Sequence, residues 1–95
     1  MNNVEDILKQ IGAENKNTGM NIFISSYWYL NIDEVHYMFK KSTLDKWEIE
    51  TVTENGNGEM SFETYKLNDD SSLLKYIQIE FKQLLRDIKI NNILN

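Results

Sequence analysis

The chain has 95 residues, with no cysteine, no proline and one histidine. That length suits one domain with its own core, and the counts exclude disulfides, thiolate metal sites, cysteine nucleophiles and multi-histidine centres. Fifteen acids against ten bases leave a net charge of −5, the wrong sign for a generic nucleic-acid binder, and no apolar run approaches the ~20 residues of a membrane span.

The first residues carry neither a basic flank nor an apolar h-region, so the expected compartment is the cytoplasm. Abundant asparagine, absent proline and lysine in place of arginine point to the codon bias of an AT-rich bacterium or its phage. Val4, Ile7, Leu8 and Ile11 fall at helical spacing and predict a short helix over 3–11. Asn3 is placed to cap it, and Gly12 to stop it. Residues 13–19 are polar and aperiodic, which predicts a loop.

Residues 20–32 are rich in β-branched and aromatic side chains and predict strand, either continuous or broken at Ser25-Ser26. Within it, Trp28 points to one face and Tyr27 and Tyr29 to the other. Tyrosines on an open face would serve as interface anchors; in the structural alternative they cover the sheet edge or the short helix. A turn is expected at 31–33. Residues 34–40 then alternate, with Val35, Tyr37 and Phe39 opposite Glu34, His36, Met38 and Lys40. That pattern favours a half-buried strand over a helix starting at Asp33. His36 has only Glu34 beside it on its face, which does not make a catalytic pair.

Two alternating runs between 45 and 67 flank Asn55-Gly56-Asn57-Gly58, a strong hairpin signal. A tight turn on Gly56-Asn57 would pair Thr51 with Phe62 and Ile49 with Thr64. The apolar sets Trp47/Ile49/Thr51 and Met60/Phe62/Thr64 then share one face. The opposite face would carry Glu48, Glu50, Glu54, Glu59 and Glu63, with Glu50 facing Glu63 and Glu54 facing Glu59. Like charges so opposed repel. Residues 41–70 hold eight acids and three lysines, so the excess charge is concentrated there. This predicts either a solvated face or an acidic docking surface for a basic partner.

Asp69, Asp70, Ser71 and Ser72 supply caps for a long final helix, whose stripe is Leu73, Ile77, Phe81, Leu84, Leu85 and Ile88. The expected fold is α+β: a short N-terminal helix, a three- to four-stranded antiparallel sheet, and a long C-terminal helix packed on one sheet face. No phosphate loop, nucleophile elbow, calcium loop or metal pair occurs, so no catalytic residue, metal or cofactor is expected.

In size, acidity, cysteine-free composition and α+β order, the chain resembles the small immunity proteins of bacterial polymorphic-toxin systems. The resemblance is carried by the glutamate-studded hairpin from 45 to 67, with Trp47 and the Gly56/Gly58 turn, framed by two helices. It implies a non-enzymatic cytoplasmic inhibitor of one cognate protein toxin, basic and nuclease-like, with no direct nucleic-acid or membrane binding. The expected contact residues are Glu48, Glu50, Glu54, Glu59, Glu63, Tyr27 and Tyr29. The alternatives are a phage anti-defence protein that presents acids in place of phosphates, and an adaptor that forms homodimers through the open sheet.

Overall fold

A computed structural model describes residues 4–16 and 24–94, with side chains up to residue 88. The fold is α+β: a five-stranded antiparallel sheet in the order β1-β2-β3-β4-β5, with three helices. The strands are β1 (Glu14–Asn15), β2 (Ile24–Ile32), β3 (Val35–Ser42), β4 (Trp47–Glu54) and β5 (Met60–Leu67). Every neighbouring pair in the sheet is also a neighbour in sequence, so only hairpin connections are needed.

Helix α1 (Val4–Gln10) forms where the helical spacing predicts it, burying Val4, Ile7 and Leu8. Gly12, at φ +93°, ends it. Its N–H reaches Lys9 O (3.1 Å) and the N–H of Ala13 reaches Leu8 O (2.9 Å). This is the paired-bond stop for which a left-handed glycine is suited. The predicted cap at Asn3 lies outside the described residues, as do residues 20–23 of the predicted strand.

Within 24–32 the chain is one strand with a register shift between Ile24 and Ser26. Residues 35–42 are strand, not helix, and the two-residue turn falls at Asp33-Glu34 with Asp33 at φ +55°. The core lies on one side of the sheet. There Trp28, Leu30, Phe39, Trp47 and Ile49 meet Val4, Ile7, Leu8 and Ile11 of α1, and Leu73, Ile77 and Phe81.

Three expectations need correction. Part of the predicted loop, Glu14–Asn15, pairs with Tyr29 and Trp28 as an edge strand, which raises the strand count to five. A two-residue strand is too short to show any period. The long helix is interrupted at Phe81, giving α2 (Asp70–Glu80) and α3 (Lys82–Leu94). Phe81 leaves helical geometry at φ −109°, ψ 27°, and its buried ring sits edge-on to Tyr37 at 4.9 Å.

The third correction is the hairpin register. Asn55 N–H bonds Glu59 O (2.9 Å), and Gly58 N–H bonds Asn55 O (3.1 Å) with Gly58 at φ +82°. The loop therefore has three residues, a turn followed by a left-handed bulge glycine. Thr51 faces Glu63 and Ile49 faces Tyr65. Because side chains alternate, this one-residue difference moves the whole of β5 to the opposite face.

Candidate binding surface

The helices cover one sheet face. The other carries the side chains that the register places opposite the core. Across it run Tyr29, Met38, Glu50 and Thr64 in one row, and Asn31, His36, Val52 and Phe62 in the next. A third row is Tyr27, Lys40, Glu48 and Lys66. The middle of the face thus mixes the aromatic and apolar side chains Tyr29, His36, Met38 and Val52 with Asn31, Glu50 and Thr64, and toward β5 it carries the exposed Phe62 (65%) and Met60 (57%).

The local contacts tie this face together. The Tyr29 hydroxyl and Nδ1 of His36 form a 2.6 Å hydrogen bond, with ring centroids 6.0 Å apart. Lys40 Nζ lies 3.0 Å from a Glu50 carboxylate oxygen and 6.0 Å from the Tyr27 ring centroid. A half-buried pair of this kind is better placed to persist than a fully exposed one. At the margin, Lys16 reaches Glu14 (2.9 Å), and that hydrogen bond with its opposite charge raises the Lys16 pKa.

Charge divides along the strands. At the end holding the β2–β3 turn and the β4–β5 loop lie Asp33, Glu34, Glu54 and Glu59, all exposed, with no lysine or arginine between 31 and 36 or between 52 and 62. The backbone joins the two turns, since Glu54 N–H donates to Glu34 O at 3.2 Å. At the opposite end a groove of about 360 Å³ is lined by Lys40, Lys46, Lys66, Glu48, Trp47 and Leu67, among others. There Trp47 is anchored from the core side. Its indole N–H donates to Asp70 (2.7 Å), and Lys41 sits 5.8 Å from its ring centroid and 3.4 Å from the same carboxylate.

Of the predicted contact residues, Tyr27 and Tyr29 lie on the open face while Trp28 is core. Glu48 and Glu50 also lie there, but not as a repelling ladder. Glu48 stands between Lys40 and Lys66, and Glu50 faces Thr64 and pairs with Lys40. Glu54 faces Met60 rather than Glu59, which belongs to the loop. Glu63 falls on the helix side, opposite Thr51, where it accepts a hydrogen bond from the Tyr65 hydroxyl. That bond, with some burial, raises the Tyr65 pKa. The five glutamates thus do not form one face.

The sequence reading missed the Tyr29–His36 pair and the exposed Phe62 and Met60. With the β2–β3 turn at Asp33-Glu34, Tyr29 and His36 become diagonal neighbours across β2 and β3, so the turn position held the signal. Among the described residues, no group of three or more acids or imidazoles converges as a metal site, and no helix is long and apolar enough to cross a membrane. No protein-family model, curated protein or solved structure matches the chain.

Proposed function

We propose that the chain is a cytoplasmic, non-catalytic binding protein, an immunity-type inhibitor that neutralises a cognate basic protein toxin across its open sheet face. The observation that carries this reading is a group of aromatic side chains on the sheet face opposite the described helices, beside four exposed rim acids that form no ion pair among the described residues. Tyr27, Tyr29, His36, Met38 and Phe62 supply the kind of contact area that dominates interface energetics. Asp33, Glu34, Glu54 and Glu59 would steer a basic partner onto that group and fix its orientation. Glu48 and Glu50, already neighboured by Lys40, contribute less to the net field.

The test is capture from the source cells with tagged protein at low and moderate salt, followed by co-expression. The captured protein should be basic, should arrest growth when expressed alone, and should be neutralised by this chain. Glu34→Lys with Glu54→Lys should weaken binding about tenfold or more, equivalent to ~1.4 kcal/mol, and flatten its salt dependence. Tyr29→Ala should weaken it at every salt concentration. Unchanged affinity in both variants, with folding intact by circular dichroism, refutes this surface as the docking site.

A further inference from the structure

The sheet ends on β5, whose outer edge has no strand partner among the described residues. Edges of this kind are normally blunted by proline, a bulge, brevity or charged side chains, and of these β5 has only its single charges Glu63 and Lys66. Here the strand has eight residues, the chain has no proline, and the ladder to β4 runs from Trp47–Leu67 to Glu54–Met60 without a shift. The Asn55–Glu59 hydrogen bond sets the alternation along that ladder. The backbone groups of Ser61, Glu63, Tyr65 and Leu67 therefore point at β4, and those of Met60, Phe62, Thr64 and Lys66 point outward. Exposed apolar side chains gather at the same edge. Among the described residues, the large hydrophobics most open to solvent are Leu44, Met60, Phe62, Tyr65 (39%) and Ile79 (74%). Three belong to β5, and Ile79 belongs to α2, whose Tyr76 ring lies 5.5 Å from that of Tyr65.

We infer that β5 pairs antiparallel with β5 of a second copy, about a twofold axis centred on Thr64. The strand's own charges choose this occupant. In a chain of net charge −5, β5 holds one acid and one base, so two such edges meet without net repulsion. A twofold perpendicular to the sheet places each residue opposite one of the same face. Centring it on Glu63 opposes two glutamates, and centring it on Lys66 opposes two lysines. Centring it on Thr64 pairs Thr64 with Thr64, Glu63 with Tyr65, Phe62 with Lys66 and Ser61 with Leu67. Seven residues are matched with no like-charge contact, and Lys66 meets an aromatic ring. The product is a ten-stranded sheet with both open faces on one side, so the dimer presents two copies of the proposed docking surface together.

Sedimentation velocity on the full chain, from micromolar to millimolar concentration, tests this. The wild type should dimerise. Thr64→Pro removes only an outward N–H, so it should keep the β4 ladder and weaken the dimer about tenfold or more. Phe62→Lys opposes two lysines at each end and should do the same, and adding Lys66→Glu should restore the dimer. A wild type that stays monomeric overturns the inference, including the case where Thr64→Pro abolishes capture of a different protein. A dimer that neither single variant weakens, or one weakened by Phe62→Lys but not restored by Lys66→Glu, overturns it equally. Toxin neutralisation that persists in a monomeric Thr64→Pro variant, which changes none of the proposed docking side chains, separates this inference from the proposed function.

Discussion

Trp47→Ala is the sharpest test of the core. Trp47 is 2% exposed and sits at the start of β4, between the sheet and the N-terminal turn of α2. Truncating a buried tryptophan costs roughly 3–5 kcal/mol through lost transfer energy and the cavity left behind. Native stability near 0.05–0.15 kcal/mol per residue puts this domain at roughly 5–14 kcal/mol, so the loss is a large fraction of the whole. At about 4–8 °C per kcal/mol for a domain of this size, the melting temperature should fall by ~12–40 °C. Trp47→Phe separates the contributions. It keeps most of the apolar contact but removes the indole N–H bond to Asp70, whose half-exposed carboxylate still has Lys41 beside it. That variant should lose only about 1–2 kcal/mol. Urea unfolding followed by circular dichroism measures both, with buried Trp28 as the remaining fluorophore. A Trp47→Ala loss below about 1 kcal/mol, less than the hydrogen bond alone is worth, would refute the burial of Trp47 and with it the β4–α2 packing.

Three further outcomes follow. Gly58→Ala forces a side chain into φ +82° and should cost ~1–2 kcal/mol in chemical denaturation, whereas Gly56→Ala, with open space at its Cβ position, should be neutral or slightly stabilising. Val52→Cys with Phe62→Cys should oxidise readily to a disulfide because these residues face each other in a non-hydrogen-bonded pair, whereas Thr51→Cys with Phe62→Cys should not; mass spectrometry under mild oxidant decides. Tyr37 and Tyr76 are raised chiefly by burial, and Tyr65 chiefly by its bond to Glu63. A folded pKa above the unfolded ~10 gives stability that is full below pH ~10 and lost as pH rises through the folded values. Tyrosinate absorbance should therefore show part of the signal appearing only with alkaline unfolding, and a single step at the ordinary tyrosine pKa would contradict these environments.

Most of the fold was legible because it rests on period and turn chemistry. The α1 stripe, the alternation of Val35, Tyr37 and Phe39, and the run Leu73, Ile77 and Phe81 each mark a buried face directly. What escaped has specific causes. Asn55-Gly56-Asn57-Gly58 fits both a two-residue turn and a three-residue loop with a bulge at Gly58, and only the backbone geometry distinguishes them. The two differ by one residue of register, so every side-chain face assigned to β5 reversed while the hairpin itself was correct. The break at Phe81 is invisible to periodicity, since Leu84 and Leu85 continue the same apolar run. Tyr27 and Tyr29 reached the expected face because β2 alternates independently of that hairpin.

The register also bears on the kind of partner that the proposed docking face would suit. A ladder of opposed glutamates would be a uniform anionic strip, the form a phosphate mimic needs. With Glu63 on the helix side, Glu48 between two lysines and Glu50 held by Lys40, that strip does not exist. The exposed acids Asp33, Glu34, Glu54 and Glu59 are instead gathered at the turn end, remote from the lysine-lined groove. Such a face has a direction along the strands. A basic ligand of uniform charge would be attracted at one end and repelled at the other, whereas a folded protein with one basic patch and an adjoining apolar patch would be oriented by both. Electrostatics of this form acts mainly on encounter and specificity, leaving affinity to the buried aromatic contacts. Reversing the rim charges should therefore slow association more than it speeds dissociation, and Tyr29→Ala should do the opposite. Stopped-flow or surface-binding kinetics on the captured partner would separate the two, and equal effects on both rates in both variants would argue against this division.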